Sequence, residues 1–200
     1  MKFLTTILLI ITAIYAQAIT PKQIVNNSDD IRNIPGSFYQ KALITQYANA
    51  KRVDSMLISI YSKELNGQYK TLVKIIKPSK DRDKIILRDN NSMWMFDPNS
   101  KAIAQISPQQ RLMGQSSSAD VMSANFALDY KLILEKEETI RGGNTKQILC
   151  YKIIMHALSN DVSYPFVEYW VAKDNFYPIH AKFYSANKDL LKMSYYRNNK

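Results

Sequence analysis

The sequence predicts a mainly β protein with a few short helices, built around a single large antiparallel sheet that is strongly curved or closed on itself. Three observations predict it. Segments rich in Tyr, Val, Ile and Thr recur at short, even intervals, the spacing of a barrel or curved sheet. Turn residues divide them, with Leu65-Asn66-Gly67 and Arg141-Gly142-Gly143-Asn144 as hairpin signals. No strand–helix–strand rhythm and no internal repeat breaks the pattern.

Composition bounds the rest. The 200 residues are 46% hydrophobic and 22% charged, enough for one domain with a real core. Five Gly and seven Pro exclude collagen-like and Pro-rich scaffolds. One Cys and two His exclude a disulfide framework and a Cys/His zinc module.

Residues 1–18 read as a secretory leader and 19–200 as a single domain. Lys2 gives a positive start, Phe3 to Tyr15 an apolar run, and Ala16-Gln17-Ala18 a small-x-small cleavage site. The run falls short of the roughly 18 apolar residues that a spanning helix needs. Cleavage places the mature N-terminus at Ile19, and the mature chain is expected in the periplasm and not membrane-spanning. In that oxidising compartment Cys150, set in Ile148-Leu149-Cys150-Tyr151, reads as a buried hydrophobe rather than a nucleophile.

Thr20-Pro21 opens a short helix, Thr as cap and Pro in the first turn, and Asn33 to Ser37 ends it. Strands are predicted over 39–50, 53–64, 68–77, 83–88, 91–96 and 101–107, then over 131–140, 145–157, 164–172, 177–185 and 190–196. Between the two sets, 108–130 loses the two-residue alternation. Ser117 to Ala124 fits one or two helical turns, and Leu112, Met113, Val121, Met122, Phe126 and Leu128 make the segment too apolar to be solvated. Long excursions of this kind in compact domains carry function or are disordered.

No nucleophile elbow, P-loop or dinucleotide fingerprint is present. His156 and His180 stand in separate strands, and His180 is expected to point with Lys182 toward solvent. Glu135 and Glu137 read as a solvated strand face. The expectation is therefore no enzyme, no metal and no cofactor.

Two features ask for an explanation. The net charge is +10, and Lys51 to Arg88 holds ten basic against four acidic residues. Such a surface suits anionic lipid or an acidic partner, or is simply a solvated sheet face. Nucleic acid is disfavoured by export and by the lack of a binding motif. The second feature is apolar surplus. Met93-Trp94-Met95-Phe96 is apolar on both faces of one strand, and Tyr164, Phe166, Tyr169 and Trp170 crowd another. Both faces then need cover, which a filled core or an internal apolar cavity supplies.

Met93-Trp94-Met95-Phe96-Asp97-Pro98, then Ala104-Gln105-Ile106-Ser107, Leu112-Met113-Gly114-Gln115 and Asp129-Tyr130 resemble, in order, the outer-membrane lipoprotein-sorting (LolA-like) family of exported carriers. The likeness runs from about Gly67 to the C-terminus. It implies an unclosed β-barrel with a helical plug at its mouth, acyl chains held inside, and no catalysis or metal. On that reading Val73, Ile75, Ile86, Trp94, Phe96 and Trp170 line a lipid-binding cavity. Leu112, Met113, Gly114, Val121, Met122 and Phe126 form the plug or gate. The implied function is a periplasmic carrier of lipid or lipoprotein acyl chains, with an envelope membrane protein as exporter or acceptor. The alternative is a non-catalytic accessory module of an envelope exporter complex, with a filled core.

Overall fold

The computed structural model describes residues 18–33, 36–66, 68–89, 92–113, 116–122, 125–142, 146–160 and 162–196. Nearly all of the leader expected over 1–18 lies outside them. Among the described residues no helix is long and apolar enough to cross a membrane.

Thr20 and Pro21 open α1 (Pro21–Arg32) as the sequence predicts. The Thr20 hydroxyl accepts the Gln23 N–H at 3.2 Å, and the Gln23 side chain accepts the Thr20 N–H at 2.9 Å. This reciprocal pair satisfies two donors that the first turn would otherwise leave open.

Six strands follow as a meander in chain order: β1 (Ser37–Ala48), β2 (Lys51–Leu65), β3 (Gln68–Lys77), β4 (Ile85–Asp89), β5 (Ser92–Asp97) and β6 (Ala102–Ile106). The β2–β3 turn is the predicted one. Leu65 pairs with Gln68 across it, and Asn66 takes a φ of 55°, a conformation Asn tolerates better than most residues.

The chain then leaves the sheet. A small hairpin, β7 (Arg111–Met113) with β8 (Ser116–Ser117), leads into a 3₁₀ turn over Ser118–Val121 and one turn of helix, α2 (Phe126–Asp129). The expected helical turns over 117–124 are thus a 3₁₀ turn, with the α-helical turn later. The hairpin is too short to leave an alternation in the sequence.

A second meander completes the chain: β9 (Tyr130–Arg141), β10 (Gln147–Ala157), β11 (Phe166–Ala172), β12 (Pro178–Tyr184) and β13 (Leu190–Tyr195). The eleven longer strands are those expected. Their ladders divide into six and five, because the excursion at 108–129 separates β6 from β9. The barrel is accordingly unclosed.

Each sheet has its own core. Over the five-stranded sheet, Ile24 and Val25 of α1 pack with Phe126, Ile153, Val167 and Tyr169. The buried Tyr169 hydroxyl meets the Ser28 hydroxyl at 2.7 Å. On the six-stranded sheet, Ile58, Val73, Ile86 and Met93 are covered by Met113 and Met122 from the excursion. Cys150 is buried with Trp170, Ala172 and Ile179. Burial pushes its thiol up to about 12, so it stays protonated, as expected of a structural cysteine.

Candidate ligand cavity

Alternate residues of a strand face opposite sides, and the register assigns each face. Across the six-stranded sheet, Gln40, Ile60, Val73, Ile86, Met95 and Ala104 form one inward row. Phe38, Ser62, Thr71, Arg88, Met93 and Ile106 form the next. Between this face, α2 and the last strands lies a cavity of about 540 Å³. That is within the roughly 300–1,000 Å³ of small-molecule sites.

The wall is amphipathic. Ala42 and Ile60 come from the six-stranded sheet, Phe183 from β12, and Met122, Phe126 and Val162 from connecting segments. The polar part is organised as acid–base pairs. Arg32 pairs with Asp29 and lies 3.7 Å from the centre of the Phe126 ring. Arg88 stands 3.9 Å from Asp129. Lys192 pairs with Asp120 and donates to the Tyr164 hydroxyl at 3.0 Å, which itself donates to Asp120 at 2.9 Å. Tyr130 closes this side by donating to the Tyr164 carbonyl at 3.0 Å.

Burial acts on these groups. It pushes the Asp129 carboxyl above its ordinary value despite Arg88, and pulls Arg88 below its own. Burial likewise raises Asp29, against the opposing pull of Arg32 and the Ala127 N–H. That N–H donates to Asp29 at 3.0 Å, so one carboxylate of α1 both holds Arg32 and anchors the start of α2. Asn125 caps the same turn by accepting from the Leu128 N–H at 3.1 Å. Among the described residues no cluster of three or more His, Cys, Asp or Glu is placed to hold a metal ion.

The expected site residues divide. Val73, Ile75 and Ile86 are on the inward face but buried in the packed cluster beside the cavity rather than in its wall. Trp94 and Phe96 are corrected. Met93 and Met95 take the inward positions of β5, so Trp94 pairs with Leu87, and Phe96 with Ile103, on the outer face. Trp170 is corrected too. Tyr169 turns inward, so the Trp170 ring lies on the outer face of the five-stranded sheet, where its N–H donates to Glu138 at 2.8 Å. Of the expected plug, Met122 and Phe126 face the cavity, and Leu112 and Met113 cover the adjoining cluster. Gly114 lies outside the described residues, and Val121 belongs to the 3₁₀ turn.

His180 does share the outer face with Lys182, but it is not solvated. Tyr195 stacks on it at 4.5 Å and Trp170 lies at 5.0 Å on its other side. Sequence reasoning missed the ionic groups of the wall. For Arg88 a signal existed: it sits two residues from Ile86, in phase with the buried side of β4.

An unclosed antiparallel barrel with an internal amphipathic cavity and short helices packed against its inner face is a fold of the LolA-like kind. Comparison with known proteins agrees. A family profile described as an uncharacterized protein family matches residues 67–200. A LolA superfamily protein from Nitrosomonas europaea is 31% identical, with a TM-score of 0.79 over 90% of this chain and 79% of that one. The chain belongs to the LolA superfamily. At 19% identity the fold alone is shared with two more proteins. One, from Vibrio parahaemolyticus, is named as an outer membrane lipoprotein-sorting protein domain, with a TM-score of 0.70 over 88% of this chain and 77% of that one. The other is a DUF1329 family protein from Desulfovibrio piger, with a TM-score of 0.68 over 85% and 74%. No functionally curated protein matches the sequence.

Proposed function

We propose that the protein is an exported carrier that holds an acyl chain of a lipid or lipoprotein in this cavity and delivers it between envelope components. The observation that carries the reading is the cavity itself, about 540 Å³ within a LolA-superfamily fold. Apolar side chains gain by burying a hydrocarbon tail, at about 25 cal/mol per Å². The acid–base pairs suit the polar end of an amphiphile. A cavity also weighs for a carrier over an accessory module with a filled core. The lipoprotein-sorting name of the Vibrio relative supports the cargo class, and the leader-like residues 1–18 support export.

Met122 and Phe126 are the gate in this reading, with Leu112 and Met113 beside them. Methionine adapts to chains of varied shape, and elements that move come from the less stable end of a structure. The test is mass spectrometry of lipid extracted from protein purified from the cell envelope. Acyl chains close to one per protein are expected, with Ile19 as the N-terminal residue. Lipid-free protein that also fails to take up a fluorescent fatty acid would overturn the carrier reading.

A further inference from the structure

The outer face of the six-stranded sheet is the largest feature the carrier reading leaves unused. Tyr39, Tyr61, Leu72, Leu87 and Trp94 stand in register across five strands as one apolar row. Ile85, Phe96 and Ile103 extend it in the next row. This surface is open: Tyr39 is 52% exposed, Tyr61 47%, Leu87 41% and Ile103 73%. A soluble sheet normally turns polar residues to this side, and contiguous apolar patches mark interaction sites.

The charge around the patch says what it meets. Lys63 and Lys70 stand in the row on one flank, and Lys41 and Lys74 share the row of Ile85 and Phe96 on the other. Lys70 and Lys74 each hold an acid, Asp89 at 3.0 Å and Asp83 at 2.8 Å, so the excess positive charge of the patch rests on Lys41 and Lys63 at its two flanks. Two copies of this face would therefore set lysine against lysine. A Trp, Tyr and Leu surface ringed by lysines instead matches the boundary of an anionic bilayer. Aromatic rings sit at headgroup depth there, and each lysine gains from the negative surface potential.

We propose that the outer face of the six-stranded sheet docks the protein on an anionic lipid bilayer. Docking is peripheral, and it stands or falls separately from acyl binding in the cavity. The test is flotation of the purified protein with vesicles of phosphatidylcholine alone, or of phosphatidylcholine and phosphatidylglycerol in equal parts. Binding is expected to the mixed vesicles only, and to weaken as salt screens the lysines. Lys41→Glu with Lys63→Glu should reduce partition at least about tenfold, and Leu87→Ser with Ile103→Ser by about as much. Both double variants should keep the parent circular dichroism, since all four side chains are exposed. Leu149→Ser with Leu158→Ser, exposed residues elsewhere, should bind like the parent. Equal binding to both vesicle types, or variants that float like the parent, would overturn the proposal. So would an acidic protein that occupies the face while vesicles do not.

Discussion

The two sheets share an antiparallel meander design and differ in how their faces are covered. The five-stranded sheet is the more covered of the two, although Tyr130, Phe183 and Lys192 on its inner face reach the cavity and Ile133, Met193 and Tyr195 on its outer face stay exposed. Its inner face carries α1, with Ile24 and Val25 fully buried against Tyr169 and Val167. Its outer face carries an ion network in which Lys152 bridges Glu135 at 2.8 Å and Glu168 at 2.9 Å. The six-stranded sheet is open on both sides. Inside it meets methionines and the cavity, and outside it leaves aromatic and aliphatic side chains exposed. The difference is one of degree: the five-stranded sheet carries the helix and the larger buried cluster, and the six-stranded sheet leaves more of its surface to meet ligands.

The contrast can be broken where it is strongest. Tyr169→Ala removes a fully buried ring, its contact with Ser28 and its edge-to-face packing on Phe126, 5.5 Å away. A loss of about 3–5 kcal/mol is expected in urea unfolding, and a loss below 1 would mean that this sheet is not the scaffold. Next in size, Ala42→Phe fills the cavity from the open sheet. It should cost about 1–3 kcal/mol through overpacking while fluorescent fatty-acid binding falls roughly tenfold, a change of about 1.4 kcal/mol. Unchanged binding would place the ligand elsewhere.

Trp94→Ala sharpens the comparison by its small effect. On an outer face it should cost about 1 kcal/mol, with acyl retention unaltered. A Trp lining the cavity would lose retention, and a core Trp would cost several times more.

The smallest expected effect is in acid. Burial opposes the charge on Glu168, but the Tyr184 hydroxyl, Lys152 and Lys182 outweigh it and hold the carboxyl below its ordinary 4.5. The unfolded chain then takes up the proton first, so this contribution is complete above about pH 4.5 and is lost as pH falls through the folded-state value. Asp29, raised by burial above its ordinary 3.8, has the opposite sign: its protonation in the native state begins first and favours folding as pH drops toward 3.8. Glu168→Gln should flatten the acid limb of the stability profile, read by thermal melts between pH 3 and 7 (about the titration range of carboxylates). An unchanged limb would remove Glu168 from the account.

The strands and α1 were legible because local rules agree there. Runs rich in Tyr, Val, Ile and Thr between turn residues marked the longer strands, Asn66 marked a turn, and Thr20 with Pro21 marked a helix start. The side each strand turns inward was harder. On β5 all four of Met93 to Phe96 are apolar, so alternation is silent, and the larger aromatics were expected inside. Methionine took the inward positions because the hairpin and Met122 from the excursion cover that face. The ionic wall was hidden for another reason. Arg32 and Asp29 are neighbours in sequence, but Arg88 with Asp129 and Lys192 with Asp120 meet only through the tertiary fold.

The position of α1 has a consequence for how the chain acquires its shape. Both sheets pair each strand with its neighbour in sequence, and such local pairing is the kind that forms quickly. The helix is the exception. Asp29 reaches Ala127 across 98 residues, and Ser28 reaches Tyr169 across 141. The first described segment to be synthesised is thus the last to find its place. Twelve residues make a marginal helix in water without a surface to pack on. Until β11 emerges, α1 has no Tyr169 to meet, while the first meander already has all six of its strands. A chain interrupted before Phe166 would keep a sheet and lose its helix, and a proteolytic cut near Arg32 would report how late in folding the two ends meet.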